Sequence, residues 1–254
     1  MKLASLNVEG LKHWGRINPF LDAEKPDVLC LQEVFEDDAA QVAEHLKMRL
    51  VFAPMFLRPK GDPPSLKKEG VAMLSRVPME NIVIQEYHTP NKELQIIDES
   101  TEHTLNKTIR RPLLSANIRD GGKIISVATT HFTWTPDGLP RDYQYAAAEK
   151  LMALLEQFPS LALCGDFNMP RGVNDIYERF AAKYHDAIPA SYASSLDPSL
   201  HRTKDSPAEA QRIAQYMVDY LFLSNDYRAS DVRLVSGVSD HCAIVATLDS
   251  APFM

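Results

Sequence analysis

Leu161-Ala162-Leu163-Cys164-Gly165-Asp166-Phe167-Asn168 is the stretch from which the rest of the chain can be read. Its apolar run is a short buried strand, and it stops at a glycine, a carboxylate and, two residues on, an amide. In extended backbone Asp166 and Asn168 face one side, where one can act as a base or orient a water and the other can donate a hydrogen bond. The same ending recurs along the chain. Leu3–Leu6 ends in Asn7-Val8-Glu9-Gly10, Val28–Leu31 in Gln32-Glu33 and Ile124–Thr130 in His131, while Ser239-Asp240-His241 precedes the last apolar run and Asp219 opens another. In α/β folds the ends of central strands converge on one rim, so these carboxylates, amides and imidazoles can share a pocket.

Outward from these endings, periodicity predicts strands at Lys2–Asn7, Val28–Gln32, Val71–Ser75, Ile82–Gln85, Leu113–Ile118, Ile124–Thr130, Leu161–Cys164, Asp219–Ser224, Asp231–Val235 and Ala243–Leu248. Helices are predicted over Ile17–Glu24, Asp37–Lys47, Asp142–Gln157 and Asn174–Ala182. Asp120-Gly121-Gly122 is a hairpin turn. No repeat or flexible linker divides the chain, so residues 1–254 read as one α/β domain. Residues 58–69, 88–107 and 194–214 read as its least structured loops, where recognition usually lies.

The chain has 254 residues, 45% of them hydrophobic, and 27 Lys+Arg against 34 Asp+Glu give a net charge of −7. That composition excludes disorder and argues against a protein that holds long nucleic acid on a basic surface. Cys30, Cys164 and Cys242 each lie in an apolar run and read as small buried hydrophobes, without zinc-type spacing. With no signal-peptide core and no run long enough to span a membrane, the expectation is a cytoplasmic protein, monomeric by default.

Glu33, with Asn7, Glu9 or Asp240 adding oxygens, suits a hard divalent ion such as Mg²⁺ or Mn²⁺. His131 and His241 can donate to phosphate oxygens when protonated, or a neutral His241 oriented by Asp219 can take a proton from water. Oxygen ligands with two imidazoles and no thiolate fit metal-assisted phosphoester hydrolysis better than acyl transfer. Two further residues are candidates for substrate binding. Arg111, of the Arg110-Arg111 pair, is positioned to clamp a phosphate, and Trp134 can serve as a stacking platform just after His131. Lys60, Lys67 and Lys68 read as a solvated basic loop.

Seven blocks, in order, carry a likeness: Ser5–Leu11, Pro26–Val34, Gly70–Arg76, Thr130-His131-Phe132, Leu163–Asn168, Val218–Ser224 and Ser239–Cys242. In them the sequence resembles the endonuclease/exonuclease/phosphatase superfamily, which includes deoxyribonuclease I-like and abasic-site endonuclease-like enzymes. The resemblance implies a four-layer α/β sandwich of two mixed sheets with helices outside. It also implies site roles: Glu33 as the principal Mg²⁺ ligand with Asn7 beside it and Asp240 as a further carboxylate, Asp166 positioning or deprotonating the attacking water, Asn168 holding water and phosphate, and Asp219 paired with His241.

Abasic-site endonucleases carry tyrosine where this chain has His131, which demotes that specialisation. The histidine form is shared by deoxyribonuclease I-like nucleases, sphingomyelinases, inositol-polyphosphate phosphatases, deadenylases and tyrosyl-DNA phosphodiesterases. The expected activity is therefore that of a metal-dependent phosphodiesterase or nuclease on a small or single-stranded substrate. A phosphomonoesterase acting on a lipid, inositol or sugar phosphate is the alternative. A catalytically silent binding module is disfavoured because the full residue set stands, and no GxSxG motif supports a serine hydrolase.

Overall fold

A computed structural model describes residues 1–250. Two six-stranded mixed sheets form its middle. The first runs in the order β11-β12-β1-β2-β4-β3, with β1 Lys2–Asn7, β2 Val28–Phe35, β3 Arg49–Lys60, β4 Ser65–Ser75, β11 Tyr227–Val235 and β12 Ala243–Ser250. The second runs β5-β6-β7-β8-β10-β9, with β5 Met79–His88, β6 Arg111–Asp120, β7 Lys123–His131, β8 Ala162–Asp166, β9 His185–Asp186 and β10 Asp219–Leu223.

Strand alternation explains the layers. Leu3, Val28, Cys30, Val71 and Met73 join one core with Val127, Ala162 and Cys164 of the opposite sheet. Their sequence neighbours Ala4, Leu29, Leu31, Ala72 and Leu74 point the other way, against α1 (Trp14–Glu24) and α2 (Glu36–Leu46). On the far side, Ala147, Ala148, Leu151 and Leu155 of α4 (Asp142–Leu155) and Phe180 of α5 (Ile176–Ala181) cover the second sheet. Helices over two stacked sheets give the four-layer α/β sandwich that the resemblance implied.

Each sheet has one parallel strand pair at its centre, β1–β2 bridged by α1 and β7–β8 bridged by α4. Parallel neighbours end on the same side, so Asn7 stands beside Gln32 in one sheet and His131 beside Asp166 in the other. Antiparallel β10 then sets Asp219 opposite Asp166. The carboxyl ends of the two parallel pairs face one cleft, which is where an α/β sheet binds its ligand.

Three expectations for local structure are corrected. Residues 58–69 are not a loop but the far end of a long hairpin, in which Lys60 pairs with Ser65. Its first strand, β3, was missed because Pro54 and Pro59 interrupt the pattern; β3 lies at the sheet edge, where a missing N–H is tolerated. Residues 88–107 hold α3 (Glu102–Thr108), started by reciprocal Thr101 and Thr104 capping, and residues 194–214 hold α6 (Pro207–Ile213).

Candidate active site

Asp166 is the centre of the cleft and is 1% exposed. Its Oδ1 accepts from the Asn168 backbone N–H at 3.0 Å, and its Oδ2 accepts from Asn7 Nδ2 at 3.0 Å. The same Oδ2 lies 3.5 Å from His131 Nε2 and 3.9 Å from His241 Nε2. Burial, with the Asp219 and Glu33 charges adding to it, pushes the Asp166 carboxyl up to about 7 although the charge of His241 opposes the shift. Gly165 makes this placement possible. At φ +141° a side chain is strained, and a Cβ there would stand 2.1 Å from the Thr130 carbonyl oxygen, so only glycine lets β8 approach β7 so closely.

Three of the polar endings adopt left-handed backbone: Glu9 (φ 49°), Glu33 (φ 53°) and Asn168 (φ 50°). For Glu33 the cause is a register shift between Leu31 and Val34 in the β2–β4 ladder, a bulge that turns the carboxylate out of strand alternation. Strained backbone of this kind persists where the surroundings fix it, and it gathers at functional sites. Asn168 is therefore not extended as expected. It sits beyond the end of β8, where its Nδ2 donates to Phe132 O at 3.3 Å and to His131 Nε2 at 3.1 Å.

The two imidazoles are in opposite states. Burial tends to discharge His241, yet Asp219, Asp166 and Asp240 outweigh it and hold the ring well above its ordinary value, with Nδ1 donating to Asp219 Oδ2 at 2.8 Å. His131 is pushed well below the ordinary value by burial and by the charges of Arg111 and His241. A neutral His131 accepting from Asn168 anchors that amide, and of the two roles open to His241 the surroundings favour the protonated donor.

Ser195, inside the 194–214 segment, escaped the sequence reading. Its hydroxyl donates to Asp219 Oδ2 at 2.6 Å and accepts from the backbone N–H groups of Val218 and Asp219 at 3.0 Å each, which fixes the carboxylate that orients His241. Serine in a loop carries no pattern that could have shown this. His13 was also missed; it meets Glu9 at 2.9 Å, and Lys12 pairs with the other oxygen of that carboxylate.

The residues fit a divalent cation. Carboxylates of Glu9, Glu33, Asp166 and Asp240 crowd the cleft; burial, then the Glu9 and Glu33 charges, raise Asp240 to about 6 despite the opposing charge of His241. Among the described residues Glu33 has no lysine or arginine within 4.0 Å, only His131 at 3.8 Å. Ligand atoms lie within 4.8 Å of one another in two groups that include these carboxylates, Glu33 with His131 and Asp166, and Asp240 with Glu9 and His13, and each group offers hard oxygens. Asn7 presents Nδ2 to Glu33 Oε1 at 3.0 Å and spends Oδ1 on the Glu9 N–H, so it joins as a ligand only after its amide turns over.

The two candidate substrate contacts fare differently. Arg111 is 1% exposed and donates to the His131 carbonyl at 3.1 Å, so the expected phosphate clamp is corrected to an internal strut beneath His131. Trp134 is half-buried in the loop that follows His131, with the Arg202 guanidinium 5.7 Å from its ring centroid, so one face is already covered. Lys60 is not solvated as expected: it binds Asp37 at 2.6 Å and Asp38 at 2.7 Å.

The model of the endonuclease/exonuclease/phosphatase family matches residues 4–241. A solved endonuclease/exonuclease/phosphatase from Beutenbergia cavernae DSM 12333 aligns with a TM-score of 0.71 at 18% identity, covering 99% of this chain and 72% of that one. Another from Bacteroides vulgatus gives 0.71 at 16% identity, with 98% of each chain covered. A 3′ phosphatase from Neisseria bound to a product DNA hairpin gives 0.64 at 18% identity, covering 98% of this chain and 99% of that one. No curated protein matches the sequence. With the family's pattern running over nearly its whole length and the fold to match, the chain belongs to the endonuclease/exonuclease/phosphatase family of phosphoester hydrolases.

Proposed function

We propose that this protein is a divalent-cation-dependent phosphodiesterase that cleaves small or single-stranded nucleic acid by in-line attack of water on phosphorus. The observation that carries the reading is the surroundings of Asp166: a buried carboxyl that titrates near neutrality, facing a cationic His241 across 3.9 Å. A base with its pKa near the working pH is what proton abstraction from water needs. Deprotonated Asp166 takes the proton of the attacking water. Asn168, whose N–H groups are committed to His131 and Phe132, offers Oδ1 to orient that water. His241, held by Asp219, whose carboxylate Ser195 fixes, donates from Nε2 to a phosphoryl oxygen as charge develops there. Glu33 and Asp240, joined by Asn7, would hold Mg²⁺ or Mn²⁺, which when bound supplies charge neutralisation at the phosphoryl and leaving oxygens.

The preference for a small or single-stranded substrate over a long duplex is supported by the commitment of cationic side chains. Seven of the fourteen arginines, Arg58, Arg110, Arg119, Arg141, Arg171, Arg212 and Arg233, pair with acids, which together with a net charge of −7 argues against a grip on long duplex. We take residues 1–254 to be one domain, because the site draws on both sheets, and we place it in the cytoplasm, in keeping with three free, buried thiols. Among the described residues no helix is long and apolar enough to cross a membrane.

The test is hydrolysis of single-stranded and duplex oligonucleotides, an abasic duplex, simple diesters and phosphomonoesters with Mg²⁺ or Mn²⁺, with His241→Ala as control. Cation-dependent cleavage of single strands that His241→Ala abolishes is expected. Activity on monoesters alone overturns the diester assignment, and activity on none of them overturns the enzymatic one.

A further inference from the structure

Two loops rooted beside Asp166 meet each other. The first leaves β7 after His131, whose Nε2 lies 3.5 Å from Asp166 Oδ2, and carries Trp134, whose carbonyl is held by the Tyr143 hydroxyl at 2.8 Å. The second is rooted at His241, whose Nε2 lies 3.9 Å from the same Asp166 oxygen. Leu196 pairs with His241 in an antiparallel bridge, with the Asp197 N–H donating to the Asp240 carbonyl and the Cys242 N–H to the Ser195 carbonyl, each at 2.7 Å. From this anchor the chain turns at once. The Gly237 and Ser199 N–H groups donate to the Asp197 carboxylate at 2.7 and 3.0 Å, and the His201 N–H donates to the Asp197 carbonyl at 3.0 Å. The turn carries Arg202 to the first loop, where its guanidinium stands 5.7 Å from the Trp134 ring centroid.

At this meeting point the second loop presents donors that nothing receives. Arg202 is exposed, and among the described residues its guanidinium has neither a hydrogen-bond acceptor nor a carboxylate partner. Contact with the indole steadies the guanidinium without using any of its N–H groups, so the fork that matches a phosphate stays free. His201 Nδ1 accepts from the Thr203 N–H at 3.2 Å. Burial, then the charges of His241 and Arg202, press this ring down to about 4, so it is neutral and its proton sits on Nε2. That Nε2–H has no partner among the described residues and, unlike the enclosed Nδ1 of His131, is open to a ligand. The charges of His241 and Glu9 both act on the His201 ring, which sets these donors within electrostatic reach of the cleft. Where seven other arginines are neutralised by acids, Arg202 is positioned by an aromatic ring, which spares rotamer entropy when an anion binds.

We propose that Arg202, with the Nε2–H of His201, binds a second phosphate of the substrate, the one next to the scissile phosphate along the strand. The assignment rests on the phosphodiesterase reading above. Arg202 takes two oxygens of that phosphate through its fork and His201 donates to a third. The contact reads the backbone and no base, so it makes a strand, rather than an isolated diester, the preferred substrate without imposing a sequence. It also supplies the cationic grip that Arg111, buried beneath His131, does not.

Thymidine dinucleotides test it: TpT, which has only the scissile phosphate, against pTpT and TpTp, which add a second one on either side. In steady-state assays with Mg²⁺ or Mn²⁺, one of the two longer forms is expected to show a kcat/KM about tenfold above that of TpT, expressed in KM, the scale of one charged hydrogen-bonded contact. Arg202→Gln should bring that ratio to about one. The side chain is exposed, and circular dichroism checks that the variant is folded. Calorimetric titration of Asp166→Asn with the same three dinucleotides reads binding without turnover and should give the same order. Equal values for all three dinucleotides in the wild type, an advantage that survives Arg202→Gln, or a loss of the same size on TpT overturns the proposal. Tighter binding of pTpT or TpTp than of TpT that Arg202→Gln abolishes, without turnover of any diester by the wild type, supports the phosphate subsite and overturns the phosphodiesterase reading instead.

Discussion

At the scale of single residues, the cleft separates its proton acceptor from its proton donor by environment. Asp166 is neutralised below about pH 7 and His241 keeps its proton well above its ordinary range. The rate constant kcat/KM is therefore expected to rise with pH through about 7, as Asp166 ionises, and to fall only at alkaline pH, as His241 discharges; a pH–rate profile checks both limbs, and the acidic limb is lost in Asp166→Asn. The same substitution, which removes the proton acceptor while keeping the shape, should lower kcat by at least ~100-fold. Ser195 acts through Asp219 and touches no reacting atom. Ser195→Ala should reduce kcat about tenfold, the usual scale for losing an orienting hydrogen bond, and move the alkaline limb toward lower pH, because a less well held Asp219 stabilises the His241 cation less.

At the scale of elements, close approach and chain reversal explain which residues tolerate change. Gly165 is where β8 meets β7, and Gly165→Ala forces a Cβ to within 2.1 Å of the Thr130 carbonyl oxygen. Urea unfolding should show a loss of about 3 kcal/mol or more, together with loss of activity, since Asp166 is the next residue. The end of α2 behaves oppositely. Lys47 caps it in left-handed backbone (φ 55°) with an exposed side chain, so Lys47→Gly relieves strain and should raise stability by about 1 kcal/mol in the same assay, leaving activity unchanged.

At the scale of the whole molecule, the cleft is held together from both sheets by Asn7, which bonds Glu33 of its own sheet and Asp166 of the other, and by Gln32, whose Nε2 donates to Thr129 Oγ1 at 3.1 Å. A cation that binds only when the sheets are packed stabilises the fold by mass action, about 2.7 kcal/mol at a hundredfold excess over Kd. Chelation should therefore lower the Tm, and Mg²⁺ or Mn²⁺ should restore it. Glu33→Gln should erase this response while leaving the chelated Tm little changed, because no lysine or arginine loses a partner.

The sequence by itself determined the alternation of strands and helices and the polar residues at the strand ends, because period-two and period-3.6 patterns and an abrupt change from apolar to polar are local properties of the chain. Asp166, Asn168, Glu33, Asp240 and the Asp219–His241 pair were legible in this way. Tertiary structure alone decided their states and neighbours. Which imidazole carries charge depends on carboxylates brought from β8, β10 and the turn before β12, and Arg111 became a strut because β6 buries it beneath His131. The support of Ser195 and the edge position that lets β3 keep two prolines were likewise invisible, since each arises from segments distant in sequence and desolvation acts only once those segments pack.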